Sequence, residues 1–493
     1  MISEAQIAPS PDGIRAEMPS AAARTEAAAR FLSSPWVVVA VLAFAALLRF
    51  WDVTQWSLWE DEETTVFFSQ NLQKPFPSFF PIYFALLSWV YEITAVSVAS
   101  GRVFAALLGI LNIGLVYACF RRLLNRPTAM LAAVFLTVNL GHLFWSQSIR
   151  YFMLTLTFQL LCAYWFFTGF ERKSYARLVL SNVALTFALL THFSAVLLVP
   201  VLIAYLGLMV MRRESSGAYG LKGYIVFCVP FLAILGAFAK RFLQMKGLLD
   251  DMPSPLARDP VHVVVTALAY FGVPVIGLGL LYPLLGRRTL TRVGWFICLL
   301  GIIPALELIV IARLNLANVT WYYGLVSLVG FAGLAAMSLV YLYEHGRRKL
   351  SVSLGAAACA YYLVFLGGYY TTMHGDRPRW KDAAAYLVDR EGIRAEATAN
   401  PDVYASVCGT VAFYLGVPPA QTMGHPLVKH WPQTPPMPLP SVEQWYVVEA
   451  GVVGPDYERW FADYCVLKAR FDARSGPKDR SVLVYHYLPK QGS

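Results

Sequence analysis

Charge is what this chain is short of. Only 14% of its 493 residues are Asp, Glu, Lys or Arg, and the acidic ones are scarcer, 30 against 40 basic. Globular soluble domains carry about 25% charged residues, so a water-facing surface along the whole chain is excluded. No Cys/His spacing suited to a metal occurs, nor does an apolar segment with a cleavage site before the first long hydrophobic run. No internal repeat of the kind built into many transporters is visible. Five of the seven cysteines, Cys119, Cys162, Cys228, Cys298 and Cys359, lie in apolar runs, where they read as small packing residues. Cys408 and Cys465 lie outside them, and a disulfide and two free thiols both stay open.

What the chain has instead is hydrophobic length. Residues are 57% hydrophobic and 14% aromatic, arranged in runs long enough to cross a bilayer. Candidate spans are Pro35 to Trp51, Ala105 to Phe120, Thr128 to Trp145, Tyr151 to Phe170, Leu178 to Leu190, Ala195 to Val210, Tyr224 to Phe238, Val261 to Leu285, Val293 to Ile311, Tyr322 to Tyr343 and Ser351 to Tyr370, about eleven helices. Pro81 to Ala99 is nearly long enough but carries Glu92 and many aromatics, which suits a helix lying at the interface. Residues 1–34, rich in Ala, Ser and Pro, read as a disordered cytoplasmic tail.

Charge decides the orientation. With Pro81 to Ala99 kept out of the count, five short loops on one side each hold three cations: Arg121, Arg122, Arg126; Arg172, Lys173, Arg177; Arg212, Arg213, Lys222; Arg287, Arg288, Arg292; Arg347, Arg348, Lys349. The positive-inside rule makes that side cytoplasmic. The other side, expected to be periplasmic, then receives residues 52–102 with the interfacial helix, the Lys240 to Pro260 loop, and a C-terminal domain at 372–493. In that domain Trp380 to Arg390 and Tyr457 to Tyr464 read as helices, and Tyr446 to Glu449 and Val482 to Leu488 as strands, a small α/β fold.

On the periplasmic side sits the run Glu60-Asp61-Glu62-Glu63, four carboxylates in a chain poor in them. At similar depth fall Arg102, the turn Ser146-Gln147-Ser148-Ile149-Arg150-Tyr151, and Thr191-His192. A carboxylate beside cations at a membrane face suits transfer of a sugar from a lipid phosphate. The base takes a proton from the acceptor, and the cations stabilise the departing phosphate. A phosphate leaves without being protonated, so one carboxylate suffices, unlike the acid and base pair of an inverting glycosidase.

These same residues carry a family resemblance. Leu58-Trp59-Glu60-Asp61-Glu62 resembles the Leu-Trp-x-Asp-Glu signature after the first helix of bacterial GT-C superfamily glycosyltransferases. The group in question holds the protein mannosyltransferases, aminoarabinose transferases and rhizobial galacturonic acid transferases. Pro81-Ile82-Tyr83-Phe84 is similar to its Pro-Leu-Tyr-Tyr, Gly101-Arg102-Val103 to its Leu-Arg-Leu, and Ser146 to Tyr151 to its Ser-Gln-Glu-Ala-Arg-x-Tyr. Thr191-His192-Phe193 resembles its Thr-His-Tyr, and Trp380-Lys381-Asp382-Ala383 its Trp-Arg-x-Ala. Three departures stand out: Ser148 replaces a Glu, a His expected near Phe80 is absent, and a late Arg-Tyr appears as Trp321-Tyr322-Tyr323.

The resemblance implies a GT-C fold, with residues 35–371 as a transmembrane catalytic domain, in a multi-pass protein of the bacterial inner membrane. It implies an inverting transferase taking a monosaccharide from a polyprenyl-phosphate donor to a lipid A, envelope-glycan or protein acceptor. Asp61 is the expected general base. Glu62 orients Asp61 or a bound cation, or caps its helix. Arg102, Arg150, Lys240, Arg241 and Lys246 are candidates for the donor phosphate, with snorkelling or lipid-headgroup contact as the alternative. Tyr83, Tyr151, His192, Gln147 and Glu307 are expected around the substrate, Glu307 alternatively pairing with Arg313. A divalent cation, Mg or Mn, held by Asp61 and Glu62 is open, and no nucleic-acid partner is expected. The rival readings are a transporter or lipid-linked sugar flippase, and an inactive scaffold of an envelope-polysaccharide machine.

Overall fold

Apolar runs that cannot be left in water become helices, because a helix satisfies its own backbone. The computed structural model describes residues 34–74, 76, 80–211, 220–250, 258–286, 290–397, 400–432, 434–475 and 478–489, with backbone alone at 220, 221, 245–250, 475 and 478. The expected tail at 1–34 thus lies, but for Ser34, outside the described residues. The helical domain comprises α1 (Pro35–Phe50), α2 (Glu60–Ser69), α3 (Pro81–Ile93), α4 (Val98–Leu123), α5 (Arg126–Val138), α6 (Leu140–Ser146), α7 (Phe152–Glu171) and α8 (Tyr175–Thr191). It continues with α9 (Val199–Met211), α10 (Gly220–Asp250), α11 (Pro260–Phe271), α12 (Val273–Leu285), α13 (Arg292–Arg313), α14 (Leu325–Glu344) and α15 (Arg348–Thr371). Short 3-10 turns, Phe193–Leu198 and Trp321–Gly324, lead into α9 and α14.

Among the described residues, seven helical segments are long and apolar enough to cross a membrane, and two more pairs qualify jointly although bent. With the shorter apolar helices α1 and α8, they occupy the segments where the hydropathy of the sequence places its spans. The protein is a multi-pass membrane protein. Helix α3, at 13 residues, rises about 20 Å, short of the ~30 Å hydrocarbon core.

Two expected spans are broken. Thr128 to Trp145 divides into α5 and α6, bent by 65°, and Val261 to Leu285 into α11 and α12, bent by 98°. Each break frees backbone groups that lipid cannot satisfy, and each has a partner. Buried Arg49 donates to Leu136 O and Thr137 O at the end of α5, and its Nη2 lies 2.9 Å from His142 Nδ1. Asn139 caps α6 through the His142 N–H and donates to Phe271 O at the second break. There Gly272 adopts φ +86, and a Cβ on it would fall 2.4 Å from the Tyr362 hydroxyl. A second difference concerns Lys240 to Pro260, expected as a loop: α10 runs on through Asp250.

The C-terminal domain starts with α16 (Trp380–Glu391) and continues through β1 (Asp402–Ala405), α17 (Cys408–Tyr414), β2 (Val428–His430), β3 (Gln444–Glu449), α18 (Pro455–Tyr464), β4 (Cys465–Phe471), the hairpin β5 (Arg474–Ser475) and β6 (Lys478–Asp479), and β7 (Val482–Tyr487). Its sheet has the order β2-β1-β3-β7-β4, parallel from β2 to β3 and antiparallel beyond. Helices α16 and α17 cover one face through Trp380, Leu387 and Val411, and α18 covers the other through Tyr457, Trp460 and Phe461. Cys408 belongs to the first of these cores and Cys465 packs on the second, which separates them, and both are free thiols.

Candidate active site

Helix α2 begins at the acidic run, with Trp59 as its extended N-cap and Glu60, Asp61, Glu62 and Glu63 in its first turn. Carboxylates there complement the helix dipole. Each successive residue turns about 100° around a helix, so four neighbouring carboxylates enter four environments.

Glu62 turns inward and is fully buried. Its Oε1 accepts from Arg102 Nε at 2.9 Å and from the Ile149 N–H at 2.9 Å, and its Oε2 from Arg102 Nη2 at 2.7 Å and Arg377 Nε at 3.3 Å. Burial raises the pKa of this carboxyl, but Arg102, Arg377 and the Ile149 amide outweigh burial and hold it below the usual carboxylate range. Arg102 spends the rest of its fork on Val53 O, Trp56 O and Ser57 O. All five of a guanidinium's N–H groups are then engaged. The expectation that Arg102 contacts the donor phosphate is corrected: it has no donor left, and it secures Glu62 and the loop before α2.

Asp61 faces the other way. Its side chain is 37% exposed, and its Oδ2 lies 3.5 Å from Nη2 of Arg150. Arg150 itself is almost buried, donating to Asp61 O, Thr65 Oγ1 and the Tyr151 hydroxyl at 2.7–2.8 Å. Its Nε–H is buried with no partner among the described residues. Tyr151 stacks on His192 at 4.2 Å, and Phe80, Phe152, Phe193 and Tyr323 complete an aromatic wall around that imidazole. His192 Nδ1 is turned to Ser194, whose amide and hydroxyl lie 3.2 and 2.8 Å away. Tyr83 packs edge-on to Tyr151, its hydroxyl buried without a partner among the described residues, like Nε1 of Trp59 and of Trp145. The structure thus gathers Asp61, Arg150, Tyr151, Tyr83 and His192.

Other expected residues fall elsewhere. Gln147 is fully buried and donates to Leu48 O, Arg49 O and Trp51 O while accepting from the Tyr369 hydroxyl, so it pins the end of α1 instead of lining a cavity. Among the described residues Glu307, on α13, makes no ion pair with Arg313, and its Oε2 is buried without a partner there. Lys240 is exposed and Arg241 half-buried on α10, which reaches the site's aromatic wall through Phe242 against Phe193. The side chain of Lys246 lies outside the described residues. A divalent cation shared by Asp61 and Glu62 does not fit, because both oxygens of Glu62 are taken by cations and an amide. Among the described residues no group of three His, Cys, Asp or Glu is placed to hold a metal.

Two residues that sequence reasoning passed over are here. Arg377, between α15 and α16, is fully buried against Glu62, Ser148 and Gln147. Its signal was its place just after a span and three residues before the Trp380 motif. Glu63 is buried against Gly409 and accepts a hydrogen bond from Thr422 Oγ1. Burial pushes its carboxyl up to about 7, and nothing in its sequence context distinguished it.

Comparison with known proteins follows this geometry. Residues 73–235 match the family model for dolichyl-phosphate-mannose-protein mannosyltransferase. The chain is similar to ArnT from Cupriavidus metallidurans in the apo state, at 14% identity and TM-score 0.56 over 92% of this chain and 98% of that one. It is similar to the same protein bound to undecaprenyl phosphate, at 13% identity and TM-score 0.53 over 94% and 99%. It also resembles the archaeal oligosaccharyltransferase AglB from Archaeoglobus fulgidus, in complex with an inhibitory peptide and a dolichol-phosphate, at 14% identity and TM-score 0.51 over 80% and 63%. No curated protein matches by sequence. The structural likeness shows a GT-C fold, and the family model accounts for residues 73–235 of the chain.

Proposed function

We propose that this enzyme moves a monosaccharide, with inversion, from a polyprenyl-phosphate-linked donor to a lipid A, envelope-glycan or protein acceptor at the periplasmic face of the inner membrane. The observation that carries the reading is the Asp61–Arg150 corner: an accessible carboxylate 3.5 Å from a nearly buried guanidinium that keeps an unpartnered N–H. Asp61 takes the proton of an acceptor hydroxyl or amine, and the freed lone pair attacks the anomeric carbon opposite the phosphate. The bond from that carbon to the phosphate oxygen breaks, and Arg150 meets the negative charge of the departing lipid phosphate. One displacement inverts the centre. The ArnT structure with undecaprenyl phosphate and the AglB structure with dolichol-phosphate support a lipid phosphate as the donor class.

Orientation rests on the basic loops. The turn at Arg347 and Arg348 lies at the opposite end of α15 from the C-terminal domain, so a cytoplasmic location for those cations puts the C-terminal domain and Asp61 in the periplasm. The test is release of polyprenyl phosphate from a radiolabelled lipid donor by the purified protein. Asp61→Asn should lower turnover by about 10²–10⁴-fold, the range for loss of a general base, with donor binding and thermal stability kept. Turnover near wild type in Asp61→Asn would remove the base assignment, and a wild type that moves the lipid without releasing sugar would be a flippase.

A further inference from the structure

We infer that Arg377 is a positioning residue: it holds Asp61 against Arg150, so the junction with the C-terminal domain sets the geometry of transfer. The inference rests on the proposed roles of those two residues. After α15 the chain turns at Gly375, where φ is +63 and a Cβ would lie 2.7 Å from the Trp56 ring. That turn sends the Arg377 side chain back into the helical domain.

There one guanidinium binds both segments of the reacting corner. Nε donates to Glu62, the residue after Asp61, at 3.3 Å. Nη2 donates to Gln147 O at 3.0 Å and Ser148 Oγ at 2.6 Å, in the turn that ends at Arg150. Nη1 donates to Gly375 O at 2.6 Å, and the group lies 4.7 Å over the Phe144 ring. Other contacts from the C-terminal domain reach the first segment, Leu58 N–H to the Tyr414 hydroxyl, Lys381 N–H to Ser57 Oγ and Thr422 to Glu63, or α11, where the Tyr270 hydroxyl donates to Asp376. Ser148 takes part where the family pattern has Glu. A neutral hydroxyl there leaves Glu62 as the one carboxylate hydrogen-bonded to Arg377 among the described residues. A lysine could fill one of these directions, not the fork.

The experiment compares wild type, Arg377→Ala, Arg377→Lys and Ser148→Ala as full-length proteins in detergent. Ser148→Ala removes a single acceptor and leaves Glu62 paired, which covers the case in which Arg377→Ala does not fold. Donor turnover should fall on the order of 100-fold in Arg377→Ala, as for a catalytic group displaced by about 1 Å. It should fall about tenfold in Ser148→Ala, with the donor KM moving less than about threefold, as for loss of one charged hydrogen bond. Arg377→Lys should stay closer to the alanine variant than to wild type. Labelling of an Asp61→Cys thiol by a maleimide should change rate when Arg377→Ala or Ser148→Ala is added. Wild-type kcat in folded Ser148→Ala or Arg377→Ala overturns the inference, as does a raised donor KM at unchanged kcat, which would make Arg377 a donor ligand. A wild type that releases no sugar removes the proposed function, and thiol labelling alone then decides this inference.

Discussion

The two sides of the first turn of α2 make opposite use of the same chemistry. On one side Asp61 keeps an open face toward Arg150; on the other Glu62 is closed between Arg102 and Arg377. Both are carboxylates beside guanidinium groups, one residue apart. What separates them is the number of hydrogen-bond positions left over. Glu62 accepts four and Arg102 gives five, so that pair has nothing to offer a substrate and serves as architecture. Asp61 and Arg150 retain spare capacity, which the proposed transfer requires.

The sharpest way to break this contrast is Glu62→Ala. Removing one partner from a buried ion group strands the others and costs about 3–5 kcal/mol, so Arg102 and Arg377 should make the variant unfold at much lower temperature in detergent. Retained stability would show that Glu62 is not architectural. Smaller is the effect of Gly409→Ala on α17, whose Cβ would lie 2.4 Å from a Glu63 oxygen. Overpacking of that kind costs about 1–3 kcal/mol, and the loss should shrink when Glu63→Ala is added, as read by a double-mutant cycle.

The last effect is one of pH and concerns Glu63. Its carboxyl is raised from 4.5 to about 7 by burial. A raised acid contributes stability fully below its unfolded pKa, and that contribution falls as pH rises through the folded value. Thermal stability should therefore decline between pH 4.5 and about 7, and Glu63→Gln should flatten that part of the curve. An unchanged slope in the glutamine variant would assign the pH dependence to other groups.

Much of the helical domain was legible because hydropathy is additive along a chain. The breaks at Asn139 and Gly272 were not, because they depend on distant partners such as Arg49 and Phe271 O that satisfy the freed backbone. Within the site, the motif residues Asp61, Arg150, Tyr151, Tyr83 and His192 converge. Arg102 stands in the same pattern and reads from sequence as a phosphate ligand, since nothing in a sequence counts how many donors a guanidinium has already spent. Gln147 misled for the same reason. Arg377 escaped notice because its partners, Glu62 and Ser148, are 315 and 229 residues away in the chain.

Composition and the order of apolar runs determined by themselves that this protein crosses a membrane many times, and the motif order pointed to a lipid-linked sugar transferase. Only the tertiary structure decided which of four adjacent carboxylates are buried, which cation keeps an N–H without a partner among the described residues, and which residue ties the C-terminal domain to both. Partition into lipid depends on each residue's own transfer energy and can be summed along the chain. Availability for chemistry depends on which hydrogen bonds a group has already made, and those are formed by residues that meet only in the folded protein.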